Sequence, residues 1–192
     1  MRGVGGEVNK RSIAEELKLW LMRNRRFEKG DLFVADEITF GGGIADVFSV
    51  TKALYVNEFE VKMSYADFQG DAEKTSKWET MRINREAKEE FPDQDIGIGY
   101  KLIRKIASPN YFHYVLFGDA EKAIPEIDPD FGIILAKGHQ LEDYPYFGFE
   151  TLRRSKKLHE VKIKEKELFS LLSRYSARML MMRLDGKIGV PV

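Results

Sequence analysis

Residues 54–63, LYVNEFEVKM, are the segment that most narrowly limits how this chain can fold. Their mixture of apolar, aromatic and charged residues predicts a strand whose successive side chains point to opposite faces. Two apolar and three ionisable side chains then share one face: Leu54, Val56, Glu58, Glu60 and Lys62. A solvent-facing strand would not begin with leucine and valine on its wet side. We therefore expect this face to be covered at its apolar end and open at its charged end.

Two further extended segments precede this strand at short spacing. Residues 32–40 and 44–50 are separated by a Gly-rich FGGG turn, and Thr51-Lys52 connects residues 44–50 to the next strand. Such short connections predict an antiparallel meander, in which strands adjacent in sequence are adjacent in the sheet. Asp46 is therefore predicted on the strand beside Glu60.

An amphipathic helix is predicted before the meander, over residues 12–25. Ser12 and Glu15 have the spacing of a capping box, in which each side chain accepts a hydrogen bond from a backbone N–H. The face predicted to pack on the core carries the following residues: Ile13, Leu17, Trp20, Leu21 and Asn24. At roughly 100° per residue, Glu16 lies beside this face and Glu15 points away from it. Glu16 is thus the helix carboxylate expected to reach the edge of the core.

The rest of the chain continues an α/β pattern. Further helices are predicted over 65–90, 100–106 and 165–183, and further strands over 111–118 and 131–136. No internal repeat and no dividing linker is present, so residues 1–192 are predicted to form a single domain. Its core would span about residues 12–136, followed by a basic segment and a C-terminal helix at about 151–185.

Composition excludes several classes of protein. The chain is 43% hydrophobic and 32% charged, which is typical of a globular protein and not of a disordered or fibrous one. No apolar run approaches the ~20 residues that span a bilayer, and the first ten residues lack the apolar core of a signal peptide. Without cysteine, the chain has no disulfide, thiolate metal site or cysteine nucleophile. We expect a cytoplasmic protein with no membrane partner.

The charged face of the predicted strand has a specific chemical use. Carboxylates from neighbouring strands, here Asp46 and Glu60, offer the hard oxygen ligands that Mg²⁺ and Mn²⁺ prefer. The backbone carbonyl of Val61 is a further candidate ligand. Lys62 lies about 6.5–7 Å along the strand on the same face as Glu60. Its ammonium could orient a nucleophilic water or stabilise developing negative charge.

This arrangement resembles the PD-(D/E)XK nuclease superfamily. In that superfamily a helix is followed by a strand meander, a second helix and a further strand. The metal-binding aspartate matches Asp46, the Glu-x-Lys matches Glu60-Val61-Lys62, and the acid of the first helix matches Glu16 or, as the alternative, Glu15. The resemblance implies a restriction-endonuclease-like core with a mixed central sheet flanked by helices. It also implies a Mg²⁺- or Mn²⁺-dependent endonuclease that hydrolyses DNA phosphodiester bonds.

The residues after the lysine narrow the resemblance to the MmcB-like DNA repair proteins. Those proteins carry a Glu-x-Lys-x-Ser stretch, an Asp-Phe-x-x-Asp and a Lys-Trp. The matching residues here are Glu60, Lys62, Ser64, Asp67, Phe68, Asp71, Lys77 and Trp78. The resemblance covers residues 13–136. The spacer before Lys77-Trp78 is longer than in that pattern, and Gly43-Ile44-Ala45 stands where an arginine pair typically precedes the aspartate. A role in DNA repair or DNA processing is implied.

The charges are polarised although the formal net charge is zero. Residues 153–166 contain seven basic residues and two acidic ones, whereas residues 119–150 contain eight acidic residues and two lysines. A basic face can attract phosphates even on a neutral protein. The predicted DNA-binding residues are Arg153, Arg154, Lys156, Lys157, Lys162, Lys164, Lys77 and Arg82, with Lys166, Arg23, Arg25 and Arg26 in support. The acidic stretch is expected to face away from DNA.

Several alternatives remain open at the level of sequence. Glu58, Glu60 and Lys62 could form an exposed half-strand with a weak salt bridge to Asp46. Glu58 could support the site or face solvent, and Asp67 and Asp71 could only cap and solvate a helix. The alternative function is a catalytically inactive nuclease-fold module that binds DNA or acts as a scaffold. RNA as substrate, a homodimer, a repair-protein partner and nucleoid association are all compatible with the sequence.

Overall fold

The computed structural model of the protein describes residues 12–40, 43–73, 109–141 and 144–184. The helix predicted over 100–106, and the larger part of the one predicted over 65–90, lie outside the described residues. Three residues with predicted roles lie outside them as well: Lys77, Trp78 and Arg82.

Six strands form one mixed sheet in the order β1-β2-β3-β4-β5-β6. Their bounds are β1 Phe33–Phe40, β2 Gly43–Val50, β3 Val56–Lys62, β4 Tyr111–Leu116, β5 Gly132–Leu141 and β6 Tyr144–Arg153. The first three strands are antiparallel, as the meander predicts. β4 runs parallel to both β3 and β5, and β6 is antiparallel to β5. The predicted α/β class with a mixed central sheet is confirmed.

Helices flank this sheet. They are α1 Ile13–Arg23, continued by a π-helical turn at Asn24–Glu28, then α2 Tyr65–Gln69 and α3 Glu165–Leu184. The capping box at the start of α1 is confirmed, because Ser12 Oγ accepts from Glu15 N and Glu15 Oε2 accepts from Ser12 N. Ser64 caps α2 through its hydroxyl, and a 3₁₀ turn at Gly70–Glu73 follows. Among the described residues, no helix is long and apolar enough to cross a membrane.

Core residues cover both faces of the sheet. On the face toward α1, Leu17 and Leu21 pack against residues of the central strands: Val47, Phe59, Val61, Val115 and Ile134. The pairing register makes Phe48, Glu58 and Phe112 direct neighbours on the opposite face. Residues of that face pack beneath α3 at one end and against the 3₁₀ segment Gly118–Glu126 at the other.

The charged end of β3 is therefore not open. Glu58, Glu60 and Lys62 are only 1%, 3% and 2% exposed, and all seven residues of β3 are buried. The expected opening is wrong because the turn that follows α2 brings the buried Asp71 against Lys62. This burial also excludes the exposed half-strand and a solvent-facing Glu58.

β6 is an element that the sequence prediction missed. It pairs along β5, and the pairing extends β5 beyond the predicted end at residue 136 to Leu141. Pro145 and Gly148 interrupt the pattern that usually indicates a strand. Proline is tolerated here because β6 is an edge strand, where a missing N–H can face away from the sheet.

Candidate functional site

Asp46 is joined to the Glu-x-Lys segment by a hydrogen bond. The paired residues of β2 and β3 end at Val47 opposite Phe59, one position before Asp46 and Glu60. There the Oδ2 atom of Asp46 accepts a hydrogen bond of 2.9 Å from the backbone N–H of Val61. A side chain thus takes the place of a backbone acceptor where the two strands stop pairing. The predicted aspartate and the residue between Glu60 and Lys62 are brought together.

Lys62 lies among carboxylates. Its Nζ atom is 2.7 Å from Asp71 Oδ1, 3.2 Å from Glu60 Oε1 and 3.8 Å from Asp67 Oδ1. A buried ammonium is costly unless charged partners replace the lost water, so these contacts account for its burial. Asp71 is therefore more than the helix-solvating residue that the sequence allowed. Asp67 lies in the first turn of α2, and its Oδ2 accepts from the N–H of Met63, just before the cap residue Ser64.

Tyr114 completes this group from the neighbouring strand. It pairs with Glu60 in the register of β3 and β4, and its hydroxyl donates to Asp71 Oδ2 over 3.4 Å. Burial, followed by the negative charges of Asp71 and Glu60, raises the pKa of Tyr114 well above its usual range. The phenol consequently stays protonated and acts as a donor to Asp71. We call Glu60, Lys62, Asp71 and Tyr114 the lysine cluster.

Lys18 is a residue of the site that sequence reasoning missed. From α1, its Nζ atom contacts the Oδ1 atom of Asp46 at 2.7 Å. Partial burial alone would lower the pKa of Lys18, but the hydrogen bond and charge of Asp46, helped by Glu37 and Asp36, raise it overall. The available signal was its place directly after the buried Leu17, at the border of the apolar face of the helix.

The two candidate helix acids differ in their surroundings. The carboxylate of Glu15 accepts a 2.7 Å hydrogen bond from the N–H of Ser12, so it serves the capping box. Glu16 is partly buried on the same helix. A role for Glu16 at the site stays a prediction.

The oxygen donors suit a divalent cation that keeps several waters. Within the described residues, no set of three or more His, Asp or Glu side chains is arranged to hold a metal ion. Mg²⁺, however, is commonly bound through one or two carboxylates with waters completing its coordination. Asp46 and Glu60 each already contact an ammonium, that of Lys18 or Lys62. Carboxylate oxygens are the donor type that Mg²⁺ and Mn²⁺ prefer, and an ion bound to Asp46 or Glu60 would have to compete with a lysine.

A second buried polar group lies near the start of β3, on the face toward α1. The guanidinium of Arg25 binds Asp31 Oδ2 through Nε at 2.8 Å and Nη2 at 2.7 Å. The hydroxyl of Ser49 donates to the same oxygen, and the side-chain amide of Asn57 donates to Ser49 Oγ. We call Arg25, Asp31, Ser49 and Asn57 the arginine cluster. Arg25 is thus engaged inside the fold, which argues against its predicted contact with phosphate.

The predicted DNA-binding segment divides into internal and exposed residues. Arg153 is half-buried, and its guanidinium donates to the backbone carbonyls of Phe131, Ile127 and Asp128. The predicted phosphate contact by Arg153 is therefore replaced by a structural one. Arg154, Lys156, Lys162 and Lys164 are exposed.

This segment meets β3 at the end far from Glu60. The Nζ atoms of Lys157 and Lys162 lie 4.2 and 5.2 Å from the ring centroid of Tyr55, which directly precedes β3. Glu60 lies five positions after Tyr55, so about 16 Å of strand separates them. A nucleic acid that contacts both regions would therefore need a bound stretch several nucleotides long.

Part of the acidic stretch lies beside α2. Asp119 accepts a 3.1 Å hydrogen bond from the N–H of Tyr65, and Glu126 accepts one from the Tyr65 hydroxyl. Because α2 follows shortly after Lys62, this part of residues 119–150 does not face away from the candidate site.

Comparisons with known proteins extend only to the fold. No family model matches the sequence. No curated protein matches it either. Among solved structures, the chain is similar to the SPO1766 protein of unknown function from Silicibacter pomeroyi. The TM-score is 0.56 at 16% sequence identity, over 94% of this chain and 97% of that one. A likeness at this identity shows a shared fold alone.

Proposed function

We propose that this protein is a Mg²⁺- or Mn²⁺-dependent endonuclease that hydrolyses DNA phosphodiester bonds in DNA repair or DNA processing. The mixed sheet would then be a restriction-endonuclease-like core. One observation supports this most strongly: the 2.9 Å hydrogen bond from Val61 N–H to the carboxylate of Asp46. It draws an aspartate of β2 to the Glu-x-Lys of β3, which are the two parts that such a nuclease needs in one site.

The metal would be held by Asp46, Glu60 and the backbone carbonyl of Val61. What such an ion supplies is a lowered pKa for a bound water and a shield for the phosphate charge. A cytoplasmic, nucleoid-associated protein, alone or with a second copy or a repair partner, would meet this substrate.

Lys62 would act beside the metal ligands through its hydrogen-bond donors. An ammonium has three N–H groups, and Lys62 directs two of them at Asp71 and Glu60. Contacts on both sides hold the side chain in one orientation. Lys62 is thus suited to orient a nucleophilic water or to stabilise negative charge on the phosphate. Asp71 is a positioning residue, held in turn by the hydroxyl of Tyr114.

The second candidate is an inactive nuclease-fold module that binds DNA or serves as a scaffold. One observation favours it: Asp46, Glu60 and Lys62 are each already in an ion pair, and Lys62 is 2% exposed. If the lysines block the carboxylates from binding a metal, these ion pairs would serve only to stabilise the fold.

Cleavage assays with matched variants distinguish the two candidates. Plain duplex, branched and single-stranded DNA, with an RNA strand of the same sequence, would be incubated across a titration of Mn²⁺ and of Mg²⁺. We expect metal-dependent cleavage that is lost in Asp46→Asn and Glu60→Gln. Glu150→Gln is the matched control, because Glu150 also pairs with a lysine, Lys137, and neither residue is assigned to the site or to DNA binding.

The outcomes separate cleanly. DNA binding without cleavage at every metal concentration would establish the inactive module. Cleavage that survives both site variants would place the activity elsewhere or in a contaminant. Cleavage of the RNA strand alone would change the substrate while leaving the site in place.

A further inference from the structure

The contact between Lys18 and Asp46 has a consequence for metal binding. We propose that the Lys18 ammonium competes with divalent ions for Asp46 and so sets the affinity of Asp46 for them. Its ammonium occupies one oxygen of the carboxylate at 2.7 Å, so a metal ion that takes this oxygen must displace it. This inference rests on the proposed function, in which Asp46 is a metal ligand.

The helix that carries Lys18 is anchored, but the side chain is not. Leu17 and Leu21 are 0% and 1% exposed in the core between α1 and the sheet, which fixes the backbone of the helix. The side chain of Lys18 is 19% exposed and reaches Asp46 from the border of this core. A flexible four-carbon stem lets the ammonium move into water while the helix remains in place. Displacement therefore needs only a change of rotamer.

The other acids near Lys18 have partners of their own. Glu37 and Asp36 both add negative charge around it. The carboxylate of Glu37, however, is held by Arg178 at 2.8 Å, and Asp36 accepts a hydrogen bond from the Tyr175 hydroxyl. Asp46 is thus the acid that Lys18 contacts directly. Glu37 and Asp36 would keep a displaced ammonium nearby, ready to return when the metal leaves.

Lys18 and Lys62 differ in how easily a metal ion could displace each ammonium from its carboxylate. Lys62 is 2% exposed and joins Asp71 to Glu60, so moving it would disturb two buried acids. Lys18 contacts one carboxylate that is itself 25% exposed. The metal-sensitive contact is consequently the one at Asp46.

Binding of Mn²⁺ alone tests this without any cleavage reaction. Isothermal titration and the electron paramagnetic resonance signal of free Mn²⁺ would be measured on the full chain without nucleic acid. Removing a unit charge a few ångströms from a partly exposed ligand should raise affinity substantially, and we expect about ten-fold tighter binding by Lys18→Met. Lys18→Arg keeps the charge and should bind no more tightly than the unaltered protein.

Lys29→Met is the matched control. It removes the same charge from an exposed residue just beyond the π-helical turn, so its affinity should stay unchanged. Circular dichroism would verify that all three variants are folded.

Each other result overturns the inference in a recognisable way. Equal affinity in the unaltered protein and Lys18→Met, with binding lost in Asp46→Asn, would refute the role of Lys18 and leave the metal site standing. Weaker binding by Lys18→Met would also refute competition, because Lys18 would then hold Asp46 in the orientation that binds the metal. If neither protein binds Mn²⁺, both the metal site of the proposed function and the role of Lys18 fall.

Discussion

Two buried polar clusters lie on opposite sides of β3, and they solve the same physical problem differently. In the arginine cluster, a planar guanidinium donates twice to one oxygen of Asp31, and a neutral hydroxyl completes the set. In the lysine cluster, one compact ammonium is shared between Glu60 and Asp71. The alternation of β3 directs Asn57 of the first cluster and Glu60 of the second to opposite faces.

Under the proposed function, this difference in chemistry assigns the metal to the lysine cluster and not to the arginine cluster. Arginine recognises a carboxylate through a rigid fork of donors, and no metal ion reproduces that geometry. An ammonium is a compact point charge, and the carboxylates around it are the hard oxygen donors that a small cation also uses. Burial of charge is common to both clusters and so does not by itself indicate function. We propose that the lysine cluster is the functional one because Asp46 is hydrogen-bonded to Val61, which lies between Glu60 and Lys62.

The largest expected effect comes from removing the shared ammonium. Lys62→Met leaves Glu60 and Asp71 buried without the charge that joins them, and we expect a loss of about 3–5 kcal/mol in the free energy of unfolding. Urea denaturation would measure it. The control is Lys122→Met, since Lys122 is 68% exposed in a surface pair and should change stability by less than about 0.5 kcal/mol. Equal stability in both variants would show that the lysine cluster carries little of the fold.

Breaking the arginine cluster should affect stability and leave metal binding alone. Asp31→Asn removes the charge that Arg25 and Ser49 share, at a cost of about 3 kcal/mol because the guanidinium stays largely buried. Mn²⁺ binding and any cleavage should match the unaltered protein at a temperature where both are folded. Loss of Mn²⁺ binding in this variant would contradict the assignment of stability to the arginine cluster and of metal binding to the lysine cluster.

A titrating residue on the arginine side offers a third test. His113 stacks on Phe59, whose ring centroid is 4.9 Å away, and its Nδ1 has no hydrogen-bond partner among the described residues. Burial, followed by the charge of Arg25, lowers the pKa of His113 to about 3. In the unfolded chain His113 therefore takes up a proton as the pH falls through about 6.5, whereas in the folded protein it stays neutral. Stability is fully present above that pH and falls as the pH drops toward 3.

Between pH 7 and pH 5 this one residue should cost about 2 kcal/mol of stability. Urea denaturation at both pH values would measure the loss. His113→Phe keeps an aromatic ring on Phe59 and above Gly132 but cannot take up a proton. The difference between the two pH values should shrink by that amount in the variant, and an unchanged difference would assign the pH dependence to other groups.

The sequence predicts local pattern well and long-range partners poorly. The capping box and the meander follow from periods of a few residues, and both are confirmed. Alternation assigns Glu60 and Lys62 to one face, but it does not say what covers that face. Asp71 and Lys18 reach the site from helices whose docking depends on the whole core. β6 escaped prediction because proline and glycine interrupt its pattern at an edge where the fold tolerates them.

The smallest expected effect separates exposed from internal arginines in the basic segment. Arg154→Gln removes an exposed charge, and if Arg154 contacts a phosphate, the slope of log affinity against log salt should fall by about one unit. Arg153→Gln should instead cost about 1–3 kcal/mol of stability, because three backbone carbonyls lose their donor. Fluorescence anisotropy with labelled DNA at several salt concentrations would measure the slope. An unchanged slope in Arg154→Gln combined with Lys164→Gln would make this segment a solvated surface, and DNA contacts would then have to be sought nearer the lysine cluster.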